Sequence, residues 1–148
     1  MSKLRLLFIK EAQAAYISHL DLMRTFQRCF PRTELEIKHT QGYHPHPIIS
    51  IVLPLPVGQS SECELLDFDL DGVSVPCNEI TQRLNQALIS GVVVRKTYQD
   101  GRKLRDLALL DCKVTMEYDR GVPQNAESAV RALFDRESVT VPKKTKNG

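Results

Sequence analysis

The order of two hydrophobic periodicities along residues 3–99 constrains the fold of this chain more than any other feature. Stretches that alternate with period two, or that are rich in β-branched residues, predict strands. These strands are expected at residues 3–10, 62–71 and 92–99. Two stretches with apolar residues every three to four positions, 18–30 and 76–90, predict amphipathic helices. Residues 48–55 are apolar on both faces, which predicts a strand at the centre of the sheet.

With a further short strand at residues 35–39, the elements follow the order β-α-β-β-α-β. This order predicts a ferredoxin-like α+β domain, in which two helices cover one face of an antiparallel sheet. We place this domain at residues 1–100 and a charged linker at residues 101–111.

A second round of elements follows the linker and predicts a partial second ferredoxin-like unit at residues 112–148. It comprises a strand at 112–118, a helix at 125–136, a strand at 138–142 and a Lys-rich tail. A complete second unit would need more residues, so we expect either an incomplete unit or a fragment of a longer protein.

Composition restricts the class of protein but does not identify a function. The chain has 148 residues, 42% of them hydrophobic and 26% charged, as in globular proteins. No stretch approaches the roughly 20 apolar residues that span a bilayer. Basic residues from Lys3 to Lys10 interrupt any signal peptide, so we expect a cytoplasmic protein.

Charge is unevenly distributed, although the net charge of +2 is too small to indicate a nucleic-acid ligand by itself. One interpretation is that the charged residues form solvated faces that pair across the sheet. The alternative is a basic patch built from Arg24, Arg28, Arg32, Arg95, Lys96, Arg102, Lys103 and Arg105.

The first helix has clear end signals and carries two candidate binding residues. Ser18 is predicted as its N-cap, Asp21 occupies position N3, and the helix should stop before Pro31. Arg24 and Arg28 are four residues apart and therefore emerge together on its surface.

The turn at residues 41–50 is more polar than a turn requires. Gly and Pro are sufficient to make a turn, yet Gln41, Tyr43, His44 and His46 accompany Gly42 here. Polar side chains on a loop that is held by strands are the usual layout of a binding site.

These two segments also carry a family resemblance. Ser18-His19-Leu20-Asp21-Leu22 and Gln41-Gly42-Tyr43-His44-Pro45-His46-Pro47, followed by an apolar strand and Pro54-Leu55-Pro56-Val57-Gly58, resemble the bacterial radical SAM-linked proteins. Tyr43 and His44 stand where that pattern has Phe and Asn. The family is a domain of unknown function that occurs alone or joined to a radical SAM protein. The resemblance covers mainly residues 3–99 and implies association with a radical SAM enzyme, but it supplies no reaction.

Other chemistries have less support in the sequence. His39, His44 and His46 are close together but have no neighbouring Cys or carboxylate to complete a metal site. The four cysteines do not form the C-x3-C-x2-C cluster of radical SAM enzymes, so any radical step belongs to a partner. Histidines could instead cleave RNA without a metal, as in the Cas6-like CRISPR endoribonucleases.

We therefore predict a non-catalytic accessory module that presents a substrate, foremost RNA, to a radical SAM partner. No catalytic residue, metal ligand or cofactor is assigned. One binding pocket between the helix start and the turn would be lined by His19, Asp21, Arg24, Gln41, Tyr43, His44, His46 and Ser50, and Arg28 and Gly42 complete the predicted binding set of ten. A metal-independent endoribonuclease and a pure protein-interaction domain are the alternatives.

Overall fold

Four strands form one antiparallel sheet in a computed structural model that describes residues 3–72, 74–100 and 102–142. Two compact units divide the chain, residues 1–109 and residues 110–148. The strands of the first unit are β1 (Lys3–Lys10), β2 (Ile49–Ile51), β3 (Ser61–Phe68) and β4 (Val92–Asp100). Its α-helices are α1 (His19–Cys29) and α2 (Cys77–Ala87). Short 3-10 helices occupy Ala12–Tyr16, Phe30–Thr33 and Leu104–Asp106.

The strand order β2-β3-β1-β4 and the element order β-α-β-β-α-β confirm the α+β class and fit the ferredoxin-like arrangement. β1 lies between β3 and β4 and pairs with both in antiparallel register. Leu4 of β1 is opposite Phe68 of β3, and Lys10 is opposite Ser61. This register defines the two ends of the sheet.

The core lies between one face of the sheet and the two helices. Leu6 and Phe8 of β1 are buried in one cluster with Phe26 of α1 and with Ile80 and Leu84 of α2. Because residues of both helices share a cluster with the same face of β1, both helices cover that face. The Phe8 and Phe26 rings lie edge to face with their centroids 5.0 Å apart.

A buried ion pair lies on the opposite face of the sheet. Arg5 Nε donates to Asp67 Oδ1 at 2.6 Å and Arg5 Nη2 donates to Asp67 Oδ2 at 3.0 Å. Arg5 Nη2 also donates to the Arg102 carbonyl at 2.7 Å, so chain that follows β4 covers this part of the sheet. The pair satisfies charges that would otherwise be costly to bury.

The predicted central strand at residues 48–55 is wrong in both position and length. β2 has only three residues and lies at the edge of the sheet, paired with β3 alone. The predicted strand at 35–39 is reduced to isolated bridges, Ile37 with Leu70 and His39 with Pro47. Ile49 and Ile51 pack against the core, so the apolar composition reflects contact with the core rather than a central position.

In the second unit, one helix forms without its expected strands. α3 (Ala126–Phe134) confirms the predicted helix, but residues 112–118 and 138–142 are not strands. Period-two alternation indicates which side chains would face a core, but strand formation also needs a neighbouring strand. The predicted Lys-rich tail at residues 143–148 lies outside the described residues, and no helix within the described ranges is long and apolar enough to cross a membrane.

Candidate functional site

The start of α1 is fixed by a network around Asp21. Ser18 caps the helix as predicted, because its Oγ accepts a hydrogen bond from the Asp21 backbone N–H at 3.2 Å. The Ser18 hydroxyl donates to Asp21 Oδ2 at 2.7 Å, and Arg24 Nη1 donates to Asp21 Oδ1 at 3.2 Å. The hydrogen bond from Ser18, followed by that from Arg24, holds the pKa of Asp21 below its usual range. Asp21 is therefore a fixed, ionised carboxylate at neutral pH.

A groove of about 330 Å³ runs from this helix start toward the end of α2. We call it the arginine groove, and its lining residues are Asp21, Arg24, Thr25, Arg28, Arg32, Ala87 and Ile89. Arg24 and Arg28 share one side of α1 because they are four residues apart. Arg32 continues this spacing into the 3-10 helix Phe30–Thr33.

A second cavity of about 500 Å³ adjoins the groove and shares Arg32 and Ala87 with it. The remaining residues that line this adjoining cavity are Thr33, Glu34, Arg83 and Gln86. Both cavities lie beside the helices, so neither is formed by the opposite face of the sheet.

The charges of the arginine groove do not balance. Three arginines and one aspartate line it, which leaves a formal surplus of two positive charges. Arg24 is paired with Asp21, whereas Arg28 and Arg32 form no ion pair with any carboxylate in the part of the chain that the structure describes. Unpaired guanidinium groups that line a cavity are suited to carboxylate or phosphate ligands.

Cys29 provides no nucleophile at this groove. Burial raises the pKa of its thiol to about 11, partly offset by the charge of Arg32. The thiol donates a hydrogen bond to the Leu84 carbonyl at 3.8 Å and packs in the core. It therefore remains a protonated thiol at neutral pH.

The polar turn projects from the sheet as the end of a short hairpin. The Thr40 N–H donates to the His46 carbonyl at 2.9 Å, and the His46 N–H donates to Thr40 Oγ1 at 3.1 Å. All residues from Gln41 to His46 are exposed, and Tyr43 has 95% of its surface accessible. The Tyr43 ring lies edge-on to His44 with a centroid distance of 5.0 Å. We call residues 41–46 the exposed turn.

The start of α1 and the base of the hairpin that bears the exposed turn lie at opposite ends of the sheet. At one end, Phe26 of α1 packs on Phe8, and His19 lies two helical turns earlier, beyond Phe8. At the other end, Phe30 packs on Phe68, and the hairpin is bridged to Leu70 just beyond Phe68.

The single pocket between the helix start and the turn stays a prediction. The arginine groove brings together Asp21, Arg24 and Arg28 of the predicted set, but no residue of the 41–50 segment lines either cavity. Ser50 lies on β2 opposite Asp67 and is exposed. His19 is half-buried, and its Nδ1 has no hydrogen-bond partner among the described residues.

A family model whose description is "Uncharacterized protein conserved in bacteria (DUF2344)" matches residues 3–148. The chain belongs to this family. No curated protein and no solved structure matches it at a significant level. Membership in DUF2344 extends over both units and assigns no activity, so the chemistry of the chain has to be argued from its own residues.

The predicted set of ten binding residues omits two arginines that line the two cavities of the DUF2344 chain, Arg32 and Arg83. Arg32 completes a four-residue spacing with Arg24 and Arg28, a signal that is visible in the sequence but concealed by Pro31, which ends the predicted helix. Arg83 comes from α2 and donates to the Thr33 carbonyl at 3.2 Å, a tertiary contact without a sequence signal. No group of three His, Cys, Asp or Glu residues within the described ranges is arranged to hold a metal ion.

Proposed function

We propose that this DUF2344 chain is an accessory module that holds RNA for a radical SAM enzyme and performs no catalysis itself. The observation that carries the RNA-binding part is the surplus of two positive charges in the arginine groove. Arginine binds phosphate through charge-assisted and often bidentate hydrogen bonds. The radical SAM part rests on the two motifs at residues 18–22 and 41–58.

The exposed turn offers a second contact for the same ligand. Arg32 follows Phe30, which packs on Phe68, and the hairpin that bears the turn is bridged to Leu70 nearby. The C-terminal end of the groove and the base of this hairpin therefore belong to the same end of the sheet. Tyr43 and His44 present aromatic rings to solvent, and such rings stack on unpaired bases.

The endoribonuclease alternative loses support from the positions of its histidines. Acid–base cleavage at a single phosphate by two histidines requires both rings within hydrogen-bonding reach of the reacting atoms. His19 lies at one end of the sheet, whereas the hairpin that bears His46 joins the sheet at the other end, an arrangement that does not favour such a pair.

A protein-interaction function is favoured by a different surface. The Gly58 N–H donates to the Ala15 carbonyl at 2.8 Å and brings the 56–58 loop against the 3-10 helix before α1. Tyr16, Leu20 and Val57 in these segments are 73%, 65% and 60% exposed. Exposed apolar side chains that cluster at one end of a domain are typical of protein contacts, so we assign this end to the partner.

The RNA-binding part can be tested by fluorescence anisotropy with a labelled single-stranded RNA. The R28Q/R32Q variant removes the two unpaired cations, and we expect it to bind about tenfold or more weakly at low salt. The matched control is R95Q, because Arg95 is an exposed arginine of β4 outside the groove. Equal affinities of the two variants, or no binding by the natural chain at low salt, would reject RNA binding at this groove.

The partner can be tested by affinity purification from a native bacterial lysate. We expect a protein with a C-x3-C-x2-C cluster to be recovered with the natural chain and to be lost with Y16S/L20S. The R28Q/R32Q variant is the control and should retain the partner. If no such protein is recovered from cells that produce one, the radical SAM part of the proposal is wrong.

A further inference from the structure

We infer that the arginine groove binds a phosphomonoester more tightly than a phosphodiester. The phosphomonoester is either the terminal phosphate of a nucleotide chain or the phosphate of a small nucleotide, whereas phosphodiesters are the internal linkages of a chain. This inference rests on the proposed function, because it assumes that the groove binds phosphate. It specifies which phosphate the groove binds.

The first argument is the number of cations that remain available. Arg24 is paired with Asp21, and Arg83 is paired with Glu79 at 2.5 Å. Arg28 and Arg32 line the same groove without such pairs among the described residues. A phosphomonoester carries about 1.5 to 2 negative charges at pH 7, whereas a diester carries one. Two available guanidinium groups therefore match a monoester.

The second argument is that carboxylates bound the row of cations on both sides. Asp21 lines the groove at the start of α1 and is held in place by Ser18 and Arg24. Glu34 lines the adjoining cavity beyond Arg32. A strand that ran along both cavities would have to bring its phosphates past the Asp21–Arg24 pair, which has no net charge to attract them, and past Glu34, which repels them. A compact dianion between them avoids both acids.

The third argument is the absence of an aromatic wall. The uncharged residues that line the arginine groove are Thr25, Ala87 and Ile89, and none offers a ring for a base to stack on. The groove therefore recognises a ligand by its charge and shape. Its volume of about 330 Å³ is at the small end of the range for ligand sites, as expected for one phosphate and its sugar.

The inference can be tested with one RNA oligonucleotide prepared with a 5′-phosphate, with a 3′-phosphate, and with hydroxyl groups at both ends. We expect one of the phosphorylated forms to bind about tenfold or more tightly than the unphosphorylated form, a difference that R28Q and R32Q each reduce. R95Q should keep the full difference. Adenosine monophosphate, with adenosine as its control, then distinguishes the two sources of a phosphomonoester, a chain end and a small nucleotide. If adenosine monophosphate displaces the oligonucleotide and adenosine does not, a small nucleotide is indicated.

The failures of the inference and of the proposed function are distinguishable. If all three oligonucleotides bind with the same affinity and R28Q weakens the binding of all three equally, the preference for a monoester is overturned and RNA binding remains intact. Binding of adenosine monophosphate without binding of any oligonucleotide would support the inference and reject RNA as the ligand. Binding of none of these probes would overturn both.

Asp21 provides an independent test of the bounding acids. D21N keeps a side chain of the same size and the Ser18 cap, but it removes one carboxylate from the groove and with it the ion-pair partner of Arg24. We expect D21N to bind the unphosphorylated oligonucleotide more tightly and so to narrow the preference for the phosphorylated form. The control is E127Q, because Glu127 is an exposed acid of α3 paired with Arg131. An unchanged preference in D21N would show that Asp21 does not exclude internal phosphates.

Discussion

Among the glycines that the structure describes, Gly91 has the least room for a side chain. Its φ of +85° is in the left-handed region, and an added Cβ would lie 2.5 Å from the Glu11 carbonyl oxygen. We expect G91A to lower the free energy of unfolding by about 3 kcal/mol, through both strain and overpacking. The control is G58A, where φ is +89° but no described atom lies within 4 Å of the added Cβ. Its loss should be only about 1 kcal/mol, and equal losses in urea denaturation would contradict the packing argument.

The surroundings of Glu64 disfavour the ionised form of its carboxylate. It is 8% exposed, and burial raises its pKa, with partial offsets from the Ser61 hydrogen bond and the charge of Lys10. A raised pKa means that the folded state binds the proton more tightly than the unfolded state does. Stability should therefore fall as pH rises from the ordinary carboxyl range through the raised pKa. We expect E64Q to flatten this part of the profile in urea denaturation at several pH values, whereas an unchanged profile would contradict it.

At the scale of elements, Ser18 tests how much α1 depends on its cap. S18A removes the acceptor for the Asp21 N–H and should lower the free energy of unfolding by about 1 kcal/mol. S18N supplies another good capping side chain and should lose only a few tenths of that amount. Urea denaturation of the two variants would measure the difference. Equal stability of S18A and the natural chain would mean that the cap is not needed.

The elements that were predictable from the sequence are those with local signals. Ser18 and Pro31 bracket α1, and β1, β3, β4 and α2 lie within three residues of their predicted ends. The pairing of Arg24 with Arg28 on one face is also local, since it follows from helical periodicity. The edge position of β2 and the hairpin that ends at Pro47 depend on which strands pair. No local pattern specifies that pairing, which is why the prediction of a central strand at residues 48–55 was wrong.

The buried core of the chain lies in the first unit. Every residue of the buried core cluster lies between Leu6 and Val94, within the first unit. In the second unit, none of the residues of α3 is buried, and Val122, Phe134 and Val141 are 72%, 74% and 75% exposed. Stretches of about 40 residues or fewer seldom bury enough apolar surface to fold alone.

We therefore expect a fragment of residues 1–109 to unfold cooperatively in urea, because every residue of the buried core cluster lies within it. A fragment of residues 110–148 should show no cooperative transition by circular dichroism. Residual helix in the second fragment would be consistent with α3 and would not depend on a core. A cooperative transition in the second fragment, or its absence in the first, would mean that the stability of the chain is not confined to the core of the first unit.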